Sequence, residues 1–338
     1  MLSIKLNYLV NSSDYEVHVL NTNGSVEHTF YEFDKRIIFH SLGNKRFKII
    51  QLSNYKKKLN LQIKNIDPDI IINTDNGLKG SLLTYLIKQD FPLIYERHIA
   101  RKLPFTNAFD SFKFKFSNLI LDRNIRAYKA FVVLNELQKN EWKGGNIKVV
   151  PNPIAILEVK GDERAKTVLS VGRFAPEKRY DRMLKLWNEV ATKNHDWKLQ
   201  IYGEGDKNFY NDLLRELDLV DSVDLLEPIK NIENIYTKGS IFLSTSSSES
   251  FGLSIAEALG YGLPVVAFKT DGSSNLISDN ENGFLISQND KTNFVKQLDL
   301  LIKNEQLRER LSENAKNSLY EYEIHNVMKK WTALFKSI

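Results

Sequence analysis

A chain of 338 residues, 42% apolar and 26% charged, has room for two ordinary domains with separate cores and excludes a disordered or collagenous polypeptide. Having no cysteine, it can build neither a disulfide framework nor a thiolate metal site, which suits a reducing cytoplasm. The net charge of +5 is uneven: residues 1–150 carry 23 Lys+Arg against 14 Asp+Glu, and the remainder 24 against 28, so the basic half suits an anionic partner, nucleic acid or a phospholipid surface.

Leu2, Leu6, Leu9 and Val10 share one helical face. The chain therefore opens in a helix, where a nucleotide-binding α/β domain usually has a strand and a Gly-rich turn, and a truncated or misassigned start is expected. Strands follow at Val17 to Leu20, Ile70 to Ile72, Leu93 to Tyr95, Phe131 to Leu134 and Lys148 to Val150, separated by helical stretches. Asp67-Pro68-Asp69 looks like an Asp-x-Asp metal site, but it precedes a strand instead of following one and reads as a strand-entry turn. Phe112-Lys113-Phe114-Lys115-Phe116, followed by Arg123, Arg126 and Lys129, admits three readings: a core helix with a solvated basic edge, a stacking surface for single-stranded nucleic acid, or a membrane-interface segment. Pro151-Asn152-Pro153 interrupts the pattern as a linker.

From Val168 onward the alternation sharpens, with strands at Val168 to Val171, Leu199 to Tyr202, Val223 to Leu226, Ile241 to Leu243 and Pro264 to Phe268. Between them Met183, Leu184, Leu186, Trp187 and Val190, then Leu213, Leu214 and Leu217, mark apolar helix faces. Repeated β-α units predict parallel sheets covered on both sides, hence an α/β fold of two Rossmann-like doubly wound domains. The expected division is residues 1–152, 153–320, and a C-terminal amphipathic helix in 321–338, built on Val327, Trp331, Leu334 and Phe335, that can cross back to the first domain. No run approaches the length that spans a bilayer and no signal-peptide pattern is present, so a cytoplasmic protein, soluble or peripheral on the inner face of the membrane, is expected.

The chemistry concentrates in residues 244–259, where a strand runs into a serine-rich loop and then a helix from about Leu253. Helix N-termini attract anions, so a diphosphate is welcome beside Gly252 and Leu253. Glu249 precedes the helix and Glu257 lies about one turn inside it, a separation on the order of 10 Å that suits a nucleoside diphosphate and its sugar. A second piece is Gly172-Arg173 with Lys178, a tight turn followed by two cations able to close on phosphate oxygens. The six histidines, His18, His28, His40, His98, His195 and His325, lack zinc-ligand spacing, and no dinucleotide or Walker glycine pattern occurs.

In Glu249 and Glu257, Gly172, Arg173 and Lys178, Gly203-Glu204-Gly205, Gly262-Leu263-Pro264-Val265-Val266 and Asn282-Gly283-Phe284-Leu285 the chain resembles the GT-B glycosyltransferases of family 4, the retaining sugar transferases of group 1, of the bacterial surface-polysaccharide type. The resemblance is firm over 150–338 and loose over 15–150. It implies a metal-independent transferase without cofactor, moving a hexose or N-acetylhexosamine from a UDP-sugar to a glycan or polyprenyl-diphosphate-linked acceptor. A peripheral contact with anionic membrane through the basic half, and no nucleic acid, go with that reading. The alternative is a non-catalytic sugar-nucleotide-binding or partner subunit of the same fold. By the resemblance Glu249 and His98 are catalytic, and Gly172, Arg173, Lys178, Gly203, Pro228, Phe251, Gly252, Leu253 and Glu257 bind the donor. Arg97 and Arg101 would meet the acceptor, and Ser250 stands where many relatives have Gly.

Overall fold

The computed structural model describes residues 1–12, 15–22, 32–43, 52–88, 91–101, 108–154 and 164–338. In chain order it holds α1 (Leu2–Asn11), β1 (His18–Asn21), β2 (Ile38–Ser41), α2 (Leu52–Ile66), β3 (Ile71–Asn73), α3 (Leu78–Ser81), α4 (Leu83–Leu86), β4 (Leu93–Glu96), α5 (Ala108–Asn124), β5 (Ala130–Val133), α6 (Glu136–Asn140) and β6 (Ile147–Val149). There follow β7 (Thr167–Val171), α7 (Tyr180–Ala191), β8 (Lys198–Tyr202), α8 (Asn208–Glu216), β9 (Val223–Leu226), α9 (Glu233–Tyr236), β10 (Ile241–Ser244), α10 (Leu253–Gly260), β11 (Val265–Phe268), α11 (Asp271–Leu276), β12 (Gly283–Ile286), α12 (Lys291–Lys303), α13 (Glu305–Asn317) and α14 (Ile324–Lys336).

The chain divides into two compact units, one of residues 1–98, 108–153 and 324–338, the other of 99–107 and 154–323. The break between Pro153 and Ile154 lies one residue beyond the expected linker position. The C-terminal helix starts at Ile324 instead of 321, because Tyr322 still pairs with Ile154: the Ile154 amide donates to the Tyr322 carbonyl at 2.8 Å within the second unit. Among the described residues no helix is long and apolar enough to cross a membrane.

The second unit has one parallel sheet of order β12-β11-β10-β7-β8-β9. β10 and β11 are buried at every residue, as sheets covered on both faces require, and the apolar stripe of α7 seats Met183, Leu184, Leu186 and Trp187 against them and their neighbours. The chain runs outward from β7 to β9 and returns to β10 on the other side of β7. The loops after β7 and β10 thus flank the point where strand order reverses, the place where such sheets leave a crevice for ligands.

The first unit pairs β3-β4-β5-β6 in one parallel sheet and β1 with β2 in another. β2 was not expected, because its four residues carry no alternation: the two outer ones are exposed and the two inner ones half-buried. Side chains alternate across the larger sheet. Ile94 and Val132 face α1 and α14 in a cluster with Leu9, Val10, Val327 and Trp331, whereas Tyr95, Phe131 and Val133 face the opposite cluster with Leu121 and Trp142. By the same alternation Glu96 falls on the α1 side and Arg97 on the α5 side.

The reading of residues 112–116 as a core helix with a solvated basic edge is corrected by α5. Its buried side is largely polar: Asn118 accepts from the buried Arg97 guanidinium at 2.8 Å, Asn124 accepts from the Tyr85 hydroxyl at 2.6 Å, and Ser117 bonds Ser81. Phe109, Phe112, Phe116 and Leu119 point outward instead, between 46% and 66% exposed.

Candidate functional site

Gly172, Gly203, Pro228 and Glu249 each follow the C-terminal end of a parallel strand, β7, β8, β9 and β10, so one edge of the second unit's sheet carries them all. The Gly172 amide donates to the Tyr202 carbonyl at 2.9 Å and the Gly203 amide to the Leu226 carbonyl at 3.1 Å, which continues the ladder past the strands. A Cβ on Gly203 would lie 1.9 Å from the Gly172 carbonyl oxygen, so two loops meet there backbone to backbone and only glycine fits. Pro228 is exposed beyond β9.

A 3₁₀ turn, Pro176–Lys178, brings Lys178 back toward Gly172. The serine-rich loop is stitched to this turn: the Ser247 amide donates to the Glu177 carbonyl at 2.8 Å, and the Thr245 hydroxyl to the Lys178 carbonyl at 3.1 Å. These bonds set Lys178 against Glu249, Nζ donating to Oε1 at 2.6 Å, and the Ser246 hydroxyl donates to the same oxygen at 2.8 Å. The pair keeps 17% and 14% of its side-chain surface, and Lys178 borders a small hollow lined also by Ser170, Tyr180, Ser246 and Ser254. Arg173 is less committed, 74% exposed and 3.2 Å from Glu177.

α10 begins at Gly252, whose φ of +81° belongs to the left-handed region and whose lack of a side chain leaves the first turn without a side-chain cap. The helix N-terminus therefore presents its amides and positive dipole end beside the Lys178 ammonium's loop. Phe251 is buried with its ring against Tyr322 at 5.7 Å, so it offers the site its backbone only. Close packing holds that backbone: a Cβ on Gly272 would sit 2.6 Å from the Phe251 carbonyl carbon, and the Gly272 amide donates to the Glu249 carbonyl at 2.8 Å. Leu253 is half-buried at the first helical position.

One turn on, Glu257 accepts from the Tyr236 hydroxyl through Oε2 at 2.8 Å. Burial pushes the Glu257 carboxyl above its usual range, and the Tyr236 hydrogen bond opposes that rise. Tyr236 is itself fixed by a stacked contact with Tyr261 at 5.2 Å. Neither tyrosine is marked by spacing or motif, so sequence reading passed them over; the same holds for Ser246 and for Lys207, which donates to the Leu226 carbonyl at 3.0 Å.

In the first unit His98 follows β4, with Nε2 3.4 Å from Oε2 of Glu96 and its amide donating to Asn76 Oδ1 at 3.0 Å. Glu96 is 2% exposed and pairs with Lys5 of α1, itself 7% exposed, whose ammonium lies 4.9 Å from the Trp331 ring centroid. Burial pushes the Glu96 carboxyl up, but the Lys5 charge and His98 outweigh it and hold the pKa at about 2. Arg97 is a correction. It is 1% exposed, with its guanidinium on Asn118 and 5.5 Å from both the Phe114 and Trp142 ring centroids, so it packs the first unit and does not face an acceptor. Arg101 is half-buried and groups with the second unit.

Asp67 and Asp69 precede β3, and among the described residues no three His, Asp or Glu side chains gather as a metal site. His28 lies outside the described residues.

Residues 156–318 match the family described as glycosyl transferases group 1. Over nearly its whole length the chain is similar to a glycosyltransferase of Haemophilus influenzae whose name gives no further role, 28% identical with 98% of this chain and 94% of that one covered. It is also similar to the amylovoran biosynthesis glycosyltransferase AmsD of Erwinia amylovora, 26% identical with 96% and 92% covered. Its fold matches that of TarM of S. aureus, solved with fondaparinux, alpha-GlcNAc-glycerol and UDP, at a TM-score of 0.75 and 24% identity, with 83% of this chain and 59% of that one covered. The architecture is GT-B.

Proposed function

We propose, for a chain whose residues 156–318 match the glycosyl transferases of group 1, that it moves a hexose or N-acetylhexosamine from a UDP-sugar to a glycan or lipid-linked acceptor of a surface polysaccharide, with retention of configuration. The observation that carries this reading is the Lys178–Glu249 pair set beside the uncapped start of α10, with Glu257 one turn inside. A diphosphate laid on the α10 amides meets fixed positive potential without reorganisation, and Lys178 and Arg173 supply the charge that stabilises it as leaving group.

Glu257, hydrogen-bonded by the Tyr236 hydroxyl, accepts the ribose hydroxyls, and Glu249 faces the donor sugar. The leaving phosphate takes the acceptor proton as the new glycosidic bond forms on the face it vacates, so the protein's part is positioning and charge stabilisation, without metal or cofactor. Pro228 and Gly203 border the nucleoside, and His98 is the first unit's candidate for contact with donor or acceptor. The name of AmsD, a polysaccharide biosynthesis glycosyltransferase, supports the choice of acceptor class, and the UDP in the TarM structure supports the nucleotide.

The test is UDP release on incubation with UDP-sugars, with and without glycan acceptors. Glu249→Ala and Lys178→Ala are expected to abolish turnover with circular dichroism unchanged. Full activity in both variants overturns the assignment, and UDP-sugar binding without turnover in the wild type makes the chain a binding subunit.

A further inference from the structure

The loop between β10 and α10 rests on a buried charge that the donor chemistry does not use. Arg182, in the first turn of α7, is 8% exposed. Its guanidinium carbon lies 3.8 Å from the Phe268 ring centroid, Nη2 donates to the Thr245 carbonyl, and Nη1 donates to the Gln288 carbonyl at 3.2 Å and to Gln288 Oε1 at 3.0 Å. Nε is buried with no hydrogen-bond partner among the described residues. Among those residues Arg182 forms no ion pair either, and its sequence neighbour Asp181 is taken by Arg179 at 2.9 Å.

The bonds themselves do not require a charge. Beside Arg182, Gln288 holds the Ser246 and Lys269 carbonyls at 3.1 and 2.8 Å with a neutral amide. A guanidinium in such a place loses its hydration without a carboxylate to compensate it. Burial, and after it the Arg179 charge, lowers the Arg182 pKa to about 10 against a smaller pull from Asp181, so the group stays protonated at neutral pH.

Peptide geometry fixes what lies across the loop. In a trans peptide the N–H points away from the preceding C=O, so carbonyls of Thr245 and Ser246 turned toward Arg182 and Gln288 leave the amides of Ser246 and Ser247 on the opposite side. There the Ser247 amide donates to the Glu177 carbonyl at 2.8 Å, on the turn that carries Lys178. The positive ends of these peptide dipoles face the Lys178 turn, and the potential of the Arg182 charge adds to theirs.

We propose that Arg182 is a positioning residue of the anion site: it clamps the loop between β10 and α10 from beneath, and its uncompensated charge raises the affinity of that site for a diphosphate. The proposal rests on the reading of this site as a nucleotide-sugar site and adds a cation that acts without touching the ligand. At an effective dielectric of about 20, a unit charge about 10 Å from a single negative charge changes affinity roughly tenfold.

Calorimetry with UDP, with competition by uridine, separates charge from packing. Arg182→Gln keeps amide donors without the charge, and is expected to bind UDP about tenfold more weakly while binding uridine within about twofold of wild type. Arg182→Lys restores the charge without the fork and should recover UDP affinity to within roughly threefold. Gln288→Glu leaves Arg182 in place and gives it a carboxylate, so its UDP affinity is also expected to fall about tenfold, a second readout should Arg182→Gln fail to fold. Equal losses toward UDP and uridine, no recovery in Arg182→Lys, or undiminished UDP affinity in Gln288→Glu overturns the proposal and leaves the donor reading standing. A wild type that does not bind UDP overturns the donor reading and this proposal with it.

Discussion

Each unit of the molecule contains a lysine–glutamate pair, and the two are built for opposite purposes. Lys5 and Glu96 are 7% and 2% exposed, with the Lys5 ammonium 4.9 Å from the Trp331 ring centroid. Lys178 and Glu249 retain 17% and 14% of their surface, stand on loops at the end of a sheet, and share their charge with Ser246 beside a helix start without a side-chain cap. A buried pair is hard to break because either partner alone is left uncompensated in a low dielectric; a pair at a ligand-facing edge can exchange one partner for a phosphate. On the proposed assignment of Lys178 and Glu249, burial and not residue type separates a structural ion pair from a working one.

The same substitution at both pairs puts that contrast at risk. Lys5→Met is expected to destabilise the first unit by about 3–5 kcal/mol, because the Glu96 carboxylate stays buried without its main partner. Urea unfolding followed by Trp fluorescence measures this, and adding Glu96→Gln should recover part of the loss. The sign of the pH dependence follows from the depressed pKa: at about 2 against an ordinary 4.5, Glu96 contributes stability that is present above pH 4.5 and lost as the pH falls toward 2. The double variant should lack that acid transition, and an unchanged acid midpoint would show that the pair does not hold the unit together.

Lys178→Met should instead leave the melting temperature within a few degrees of wild type while turnover falls about 10²-fold or more, read from UDP release. Equal losses of stability at the two sites would end the distinction. A smaller effect is expected at Tyr236→Phe, which removes one hydrogen bond from Glu257: UDP affinity by calorimetry falls roughly 3–10-fold. Glu257 already has a raised pKa, and losing the Tyr236 donor raises it further, so the deficit should be greatest at low pH and shrink as the pH rises. A deficit constant with pH would mean that the Tyr236 hydroxyl orients Glu257 without tuning its ionisation, and no deficit at all that Tyr236 acts only by filling space.

The cluster at the second unit's strand ends was legible because its signals are local. Gly172 and Gly203 sit at strand ends whose β-branched runs declare themselves, and Glu249 and Glu257 are eight residues apart on one loop and helix. The first unit hides its chemistry by distance: 91 residues separate Lys5 from Glu96, and no spacing rule connects an apparently solvated lysine in an apolar helix with the last residue of a strand. Arg97 and His98 illustrate the limit, since adjacent residues after one strand diverge, one into the core and one toward the Glu96 carboxylate and the surface, on the alternation of side chains across the sheet.

By itself, then, the sequence determined the repeated β-α order, the parallel sheets and the cluster of glycines, glutamates and cations at the second unit's strand ends, because periodicity, turn chemistry and short-range spacing are properties of contiguous residues. Tertiary structure alone decided which charges are buried and which face of α5 is apolar to the outside. Both depend on what distant segments place opposite a side chain, and a helix whose polar residues find partners in the interior turns Phe109, Phe112 and Phe116 to the surface.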